Sequence, residues 1–327
     1  MRVLITGASG FAGGHLAREC LEAGDDVVGI SRSGAVPEGA GEGAGEGIET
    51  RRVNLLDADG VAAIVASVRP EVFYHLAALS SVGRSWEQPA RAVQDNVAMA
   101  VNVLEAVRHK APEARVVWAS SCEVYGPPDR LPIDEWAPLR PANPYAVSKT
   151  TGDLLAAVYA DAHGLEIIRA RPFNHAGPGQ RSIFILSSLA RQAAEGLRVG
   201  ADPVRIVTGN PETRRDFTDV RDVARAYHLL AARAQPGIYN ICSGQSISAA
   251  AQVQLIGRLI APRAVEHVID PARIRGHEVM ELRGAHERIT ADTGWRPEIP
   301  IARTMVDTID WWKRELTAAD PPGAVRH

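Results

Sequence analysis

The 327-residue chain has no excess of basic charge: 36 Lys plus Arg stand against 39 Asp plus Glu, a formal charge of −3 at pH 7. A broad cationic face is therefore excluded, and nucleic acid is not an expected partner. Cysteine is scarce. Cys20, Cys122 and Cys242 lie far apart, with no disulfide ladder and no CxxC metal pair. No metal is expected, and the expected compartment is a reducing cytoplasm. No apolar run approaches the ~20 residues of a membrane span. Met1-Arg2-Val3-Leu4-Ile5-Thr6-Gly7 lacks a signal-peptide layout and reads directly as a strand, so no membrane partner is expected. The 46 % hydrophobic and 23 % charged residues are ordinary for a soluble globular enzyme, and the length suggests about two domains.

Glycine, by contrast, is abundant, with 29 residues, several in two N-terminal clusters. The first cluster, Gly7-Ala8-Ser9-Gly10-Phe11-Ala12-Gly13-Gly14, reads as a turn between a buried strand, Arg2 to Thr6, and a helix, His15 to Ala23. A second buried strand, Asp26 to Ile30, completes a βαβ unit. The second cluster, residues 34 to 47, is a Gly/Glu/Ala repeat with almost nothing to bury, and reads as a flexible solvated loop. The alternation then resumes: strand at 48–53, helix at 58–68, strand at 72–76, helix at 90–108 and strand at 116–121. Asn143-Pro144 opens a helix to about His163, with Asn as N-cap and Pro at the first position. Leu165 to Ala170 is the next strand. This rhythm gives an α/β fold: a doubly wound parallel sheet of Rossmann type over residues 1–172. A smaller α+β substrate lobe over 173–317 follows, with the option that its chain crosses back. It holds helices at 184–196, 220–234 and 301–316 and strand pieces at 204–207 and 238–241. Residues 318–327 read as a flexible tail.

Gly7-x-x-Gly10-x-x-Gly13 has the right context for a dinucleotide. The first glycine permits the tight turn, the second lets a pyrophosphate approach the backbone, and the third lets the helix pack close; the helix N-terminus supplies N–H groups and positive dipole. The bland alternative is a turn kept for packing alone. Where an acidic ribose ligand would end the second strand, the chain reads Ile30-Ser31-Arg32-Ser33. Ser31 and Arg32 suit a 2′-phosphate and favour NADP(H) over NAD(H), unless Arg32 is simply a solvated loop residue. Asn54-Leu55-Leu56-Asp57 could meet the adenine edge, and Asp57 could equally cap the next helix.

Tyr145 and Lys149 stand at i and i+4 of one helix face. A cation beside a phenol of pKa near 10 favours the phenolate. A shift of roughly three units, about 4 kcal/mol, would let Tyr145 exchange a proton with a carbonyl near neutral pH. Such a pair also occurs by chance on ordinary helix surfaces. Ser121, read as the end of a strand at the ligand-binding edge of the sheet, could hold the substrate oxygen beside Tyr145.

The glycine turn, Leu76-Ala77-Ala78, Asn96-Val97, Ser121-Cys122-Glu123-Val124-Tyr125-Gly126 and the YxxxK pair resemble the extended short-chain dehydrogenase/reductase superfamily, nearly to Leu316. More narrowly, Arg171-Pro172-Phe173-Asn174-His175-Ala176-Gly177-Pro178-Gly179-Gln180, Leu189-Ala190-Arg191-Gln192 and Arg214-Arg215-Asp216-Phe217-Thr218-Asp219 resemble its nucleotide-sugar branch. They are similar to GDP-6-deoxy-4-keto-D-mannose reductases and, less closely, to GDP-mannose 4,6-dehydratases. The resemblance implies Tyr145 as acid/base, Lys149 as its tuner and nicotinamide-ribose ligand, and Ser121 as the substrate hydrogen-bonder. It implies cofactor contacts at Gly7, Gly10, Phe11, Ala12, Gly13, Ser31, Arg32, Asn54 and Leu55, and further ones at Leu76, Ala77, Ala78 and Arg171. Substrate contacts are implied at Ser80, Ser81, Asn174, Arg191, Arg215, Arg275 and Glu278, with surface salt bridging as the alternative for Arg215 and Arg275. His175 reads as structural or pocket-lining. Dehydratases of this branch use a Glu at the position of Glu123, preceded by Asp or Ser. Cys122 departs from that pattern, and reductases carry the Glu as well.

The expected activity is NADPH-dependent reduction of the C4 ketone of a GDP-4-keto-6-deoxy-mannose-type sugar by a homodimer. A dehydratase or 4-epimerase that recycles its cofactor is the alternative enzyme. A dinucleotide sensor without catalysis is the alternative class.

Overall fold

Val3, Leu4 and Ile5 are wholly buried. A strand with no exposed face needs strand neighbours and helices on both sides of the sheet. The computed structural model, which describes residues 1–35, 47–274 and 279–319, supplies both. In chain order the first part runs β1 (Arg2–Thr6), α1 (Phe11–Glu22), β2 (Asp26–Ser31), β3 (Glu49–Arg52), α2 (Ala58–Val68) and β4 (Val72–His75). It continues through α3 (Val82–Glu87), α4 (Pro89–Lys110), β5 (Arg115–Ala119), α5 (Pro144–His163) and β6 (Ile167–Pro172). The remainder is β7 (Asn174–Ala176), α6 (Ile185–Arg198), β8 (Val204–Thr208), β9 (Arg214–Asp219), α7 (Val220–Arg233), β10 (Gly237–Ile241) and β11 (Ser246–Ser248). Then come α8 (Ala249–Leu259), β12 (Val265–Ile269), β13 (Glu281–Leu282), α9 (Glu287–Thr293) and α10 (Ile301–Ala319).

Seven parallel strands form the central sheet in the order β10-β6-β5-β4-β1-β2-β3. Leu16, Ala17, Cys20, Val223, Tyr227 and Leu230 fill the face covered by α1 and α7. Val61, Ile64, Val103, Leu104 and Ala156 fill the opposite face under α2, α4 and α5. The strand order reverses between β1 and β4, and that switch point opens a crevice at the carboxyl ends of the strands. A smaller set of elements stands over it. β11, β9 and β13 form one sheet with β7 against β9, β12 pairs with β8, and α6, α8 and α10 enclose their own apolar core.

Three expectations change and one open option is settled. The first helix begins at Phe11 rather than His15, so half of the glycine turn is helix. β5 ends at Ala119; Ser121 instead caps a 3-10 turn, Cys122–Tyr125, its Oγ accepting from Glu123 N at 3.2 Å. The option that the chain crosses back is the one realised: β10 pairs with β6 in the central sheet from Gly237↔Ile168 to Ile241↔Pro172. The last helix continues to Ala319, into the segment read as tail. The Gly/Glu repeat from 36 to 46 lies outside the described residues, as does 320–327.

Candidate functional site

A cleft of about 2530 Å³ runs along the switch point, walled below by the central sheet and above by the smaller lobe. A single small-ligand pocket takes roughly 300–1,000 Å³, so two sizeable ligands fit side by side.

The lower wall is built largely from backbone. Gly7 has φ +73°, and a Cβ there would lie 3.0 Å from Ala77 Cα on the far side of the crevice. A Cβ on Gly13 would lie 2.2 Å from Gly7 O, so only glycine lets α1 start this close to the turn. No side chain caps the N-terminus of α1 and no acidic residue occupies its first turn. Its free N–H groups and dipole therefore face the cleft, a cradle that fits a pyrophosphate. Thr6 Oγ1 accepts from Leu76 N at 3.0 Å and Ala77 N at 3.2 Å, locking the ends of β1 and β4 together. Ser31, Arg32, Asn54, Leu55, Leu76, Ala77 and Ala78 line this wall with Gly7, Gly10, Phe11, Ala12 and Gly13. Among the described residues, no carboxylate that follows β2 lines this wall. Asp57 caps α2, its Oδ1 accepting from Gly60 N at 3.2 Å.

The centre is set by α5. Asn143 Oδ1 accepts from Ala146 N at 2.8 Å, and the same amide donates to Glu123 Oε2 at 2.9 Å. One cap thus starts the helix and fixes Glu123. Asn96 on α4 donates to Ser148 Oγ at 2.8 Å and accepts from Leu79 N at 2.8 Å, tying α5 to the loop after β4. Neither Asn143's hold on Glu123 nor the Asn96–Ser148 bond was foreseen, although both asparagines stood in recognised motifs. Tyr145 is buried beside Ser121; burial pushes its phenol above the ordinary value, with the Ser121 hydrogen bond opposing. The expected lowering of Tyr145 by Lys149 is not what this geometry gives. Lys149 is buried, its Nζ donates to Ala119 O, and burial lowers it to about 8, with Asp153 opposing. Burial pushes the Cys122 thiol well up, so it stays neutral.

The upper wall gathers side chains from distant segments: Asn174, Gln180, Arg181, Arg215, Gln252, Arg273 and Trp311, facing Ser80, Ser81 and Trp86 on the opposite lip. Ser81 also caps α3. Asn174 Oδ1 is buried with no partner, as is Gln252 Oε1, and a buried unpaired acceptor at a cleft wall is a ready ligand contact. Arg215 Nη1 donates to Arg214 O and Val279 O, both at 2.8 Å. Arg181, Gln252 and Trp311 carried no sequence signal, because only tertiary folding brings them here.

Two residues expected in the site stand elsewhere. Arg191 donates to Glu195 Oε1 at 2.8 Å and Ser182 Oγ at 3.2 Å and lies over the Trp312 ring, off the cleft wall. Arg171, expected at the cofactor, is 2 % exposed and bonded to Asp153, behind the wall. Arg275 and Glu278 lie outside the described residues.

The walls meet at the cleft floor. Phe11, in the first turn of α1, stacks on His175 at 5.9 Å and 11° and meets His15 edge-on at 5.5 Å. His15 Nε2 lies 3.1 Å from Pro178 O. Burial lowers the pKa of both histidines, which therefore sit neutral.

Comparison with known proteins follows the same outline. The family described as GDP-mannose 4,6 dehydratase matches residues 4–308. The chain is 34 % identical to the GDP-6-deoxy-D-mannose reductase of Pseudomonas aeruginosa over 318 residues, covering 96 % of this chain and 98 % of that one. The solved structure of RMD from Pseudomonas aeruginosa complexed with NADPH superposes with a TM-score of 0.81 at 32 % identity, covering 96 % of this chain and 100 % of that one. A UDP-glucose 4-epimerase from Thermus thermophilus in complex with NAD gives 0.84 at 28 %, covering 99 % and 100 %.

Proposed function

The chain belongs to the GDP-mannose 4,6 dehydratase family, and on that premise we propose that it reduces the C4 ketone of a GDP-4-keto-6-deoxy-mannose-type sugar. NADP(H), when bound, supplies the hydride. The turn from Gly7 to Gly13 takes its pyrophosphate, Ser31 and Arg32 take a 2′-phosphate, and Leu76 to Ala78 line its path. NAD(H) is the alternative, should Arg32 remain solvated. Ser121 and Tyr145 hold the ketone oxygen, and Tyr145 passes its proton to that oxygen as charge develops there. Lys149, lowered by burial to about 8, is a cation at neutral pH, and one helical turn from Tyr145 it takes the nicotinamide ribose. Arg215 receives the diphosphate, Asn174 contacts the substrate near it, and Ser80 and Ser81 border the sugar.

The observation that carries reduction over elimination is Cys122. Elimination of water from the sugar needs an acid for the leaving hydroxyl besides a base for the C5 proton. Beside Glu123 the chain offers a buried thiol held neutral well above its ordinary value, a weak hydrogen-bond donor. Three buried thiols free of disulfides support a reducing, cytoplasmic setting. The exposed apolar side chains Val147, Leu154 and Val158 on one stripe of α5 support a homodimer.

With NADPH and the 4-keto sugar, the protein is expected to oxidise one NADPH per 6-deoxy sugar formed. Tyr145→Phe is expected to slow turnover by about 10²–10⁴-fold while NADPH binding persists. Conversion of GDP-mannose without net NADPH loss would replace this reading with the dehydratase. NADPH binding with no turnover, indifferent to Tyr145→Phe, would replace it with a sensor.

A further inference from the structure

Behind the cleft, a single guanidinium joins the two elements that carry the candidate catalytic groups. Arg171 on β6 donates from Nε to Asp153 Oδ2 at 2.9 Å and from Nη2 to Asp153 Oδ1 at 2.9 Å. Its Nη1 donates to Tyr125 Oη at 3.1 Å and Glu135 O at 3.3 Å. Asp153 lies one helical turn after Lys149 on α5, the helix of Tyr145. Tyr125 ends the 3-10 turn that carries Ser121 and Glu123. Tyr125 Oη donates onward to Asn240 Oδ1 at 2.7 Å, and Asn240 N donates to Glu135 Oε1 at 2.9 Å. Asp153 and Asn240 are both fully buried, and Arg171 is 2 % exposed. The fork is bidentate on one side and shared between two acceptors on the other, the arrangement that guanidinium geometry permits and an ammonium does not.

We propose that Arg171 is a positioning residue: it locks the helix of Tyr145 and Lys149 against the turn of Ser121 and Glu123, and it holds the Asp153 charge away from Lys149.

The electrostatics around Lys149 follow from the same contacts. On its own helix the opposing charge is Asp153. From β4, His75 packs nearby, and burial lowers it to about 3, so it brings no charge at neutral pH. From β5 the contact is the Ala119 carbonyl. From β6, Arg171 and Arg169 act through Asp153, Arg169 Nη1 reaching Oδ1 at 3.0 Å. Burial pushes the Asp153 carboxyl up, but the two guanidiniums outweigh it and leave the group below its ordinary value, ionised and neutralised. Little of that negative charge is left to hold a proton on Lys149.

The inference rests on the reading of Tyr145 and Lys149 as the acid/base pair, and its test needs no substrate. Only three of the chain's 36 basic side chains are lysines: Lys110, Lys149 and Lys313. Lys110 and Lys313 are exposed. Protein carrying ¹³Cε-lysine therefore yields three signals, and that of Lys149 is assigned by its loss in Lys149→Met. In Arg171→Met, Arg169 still keeps Asp153 ionised, and the Lys149 midpoint is expected to rise by about one unit. In Asp153→Asn it is expected to fall by a similar amount. Arg171→Lys restores the charge without the fork, so the midpoint is expected to return toward that of the native protein. Turnover is expected to stay about tenfold down, because the link to Tyr125 is lost. The basic limb of the pH–rate profile is expected to move with each midpoint.

Shifts in the same direction for Arg171→Met and Asp153→Asn, or none in either, would overturn the proposal. So would an Arg171→Lys variant with native turnover. If Arg171→Met does not fold, Asp153→Asn and Arg171→Lys decide the matter between them. If the native protein consumes no NADPH with the sugar, the proposed reaction fails, while the NMR midpoints still judge the role of Arg171.

Discussion

The two walls of the cleft are made of different material. The lower wall, proposed for the dinucleotide, is mostly main chain: a turn in which Gly7 and Gly13 leave no room for a Cβ, an uncapped helix N-terminus and the ends of two adjacent strands. The upper wall, proposed for the nucleotide sugar, is mostly side chain, drawn from β7, β9, α8 and α10 and the loops between them. A backbone site is specified by residues close together in sequence and tolerates little substitution. A side-chain site is specified by tertiary placement, and single residues in it can be exchanged at a local cost.

That contrast breaks first at Gly13. Gly13→Ala puts a methyl 2.2 Å from Gly7 O, and the turn must open. NADPH affinity, followed by fluorescence titration, is expected to fall at least about 100-fold, with GDP binding to the upper wall changed little. An equal loss of both would mean that the walls do not act separately.

Lys149 tests the centre, between the walls, through stability. It titrates near 8 in the fold and near 10.5 as a free side chain. Between those values the unfolded chain holds the extra proton, so stability rises with pH across that window; below about 8 the buried charge carries its full cost. Lys149→Met is therefore expected to be more stable at pH 7 by at most about 3 kcal/mol. The advantage should shrink between pH 8 and 10.5 in thermal melts. A variant less stable than the native protein at pH 7 would mean that the Ala119 bond outweighs desolvation.

The upper wall gives smaller effects that separate two arginines of equal sequence promise. Arg215→Met is expected to raise the sugar KM by about tenfold or more, the loss of a charge-assisted hydrogen bond. Arg191→Met, off the wall and already bonded to Glu195, is expected to change KM less than about twofold. A reversed order would relocate the substrate.

The same division decides what could be read from the sequence. Gly7, Gly10 and Gly13 declare their role by spacing, and Asn143-Pro144 announces α5 by local capping chemistry, so the βαβ rhythm and the lower wall were legible residue by residue. Arg171 and Arg191 were misplaced because an arginine in a recognised segment looks the same whether it faces a phosphate or a buried carboxylate. Asp153 decides that for Arg171 and Glu195 for Arg191. Gln252 and Trp311 left no trace because nothing local requires them. Tyr145 shows the limit differently: its partner was visible at i+4, but the backbone carbonyl that accepts the lysine's hydrogen bond was not.

The ring stack of Phe11 on His175, with His15 against Pro178, has a mechanical consequence. It ties the lobe that follows β6 directly to the first turn of α1, so the two walls share a contact at the floor of the cleft, while Trp86, Ile183 and Trp311 line the cleft away from it.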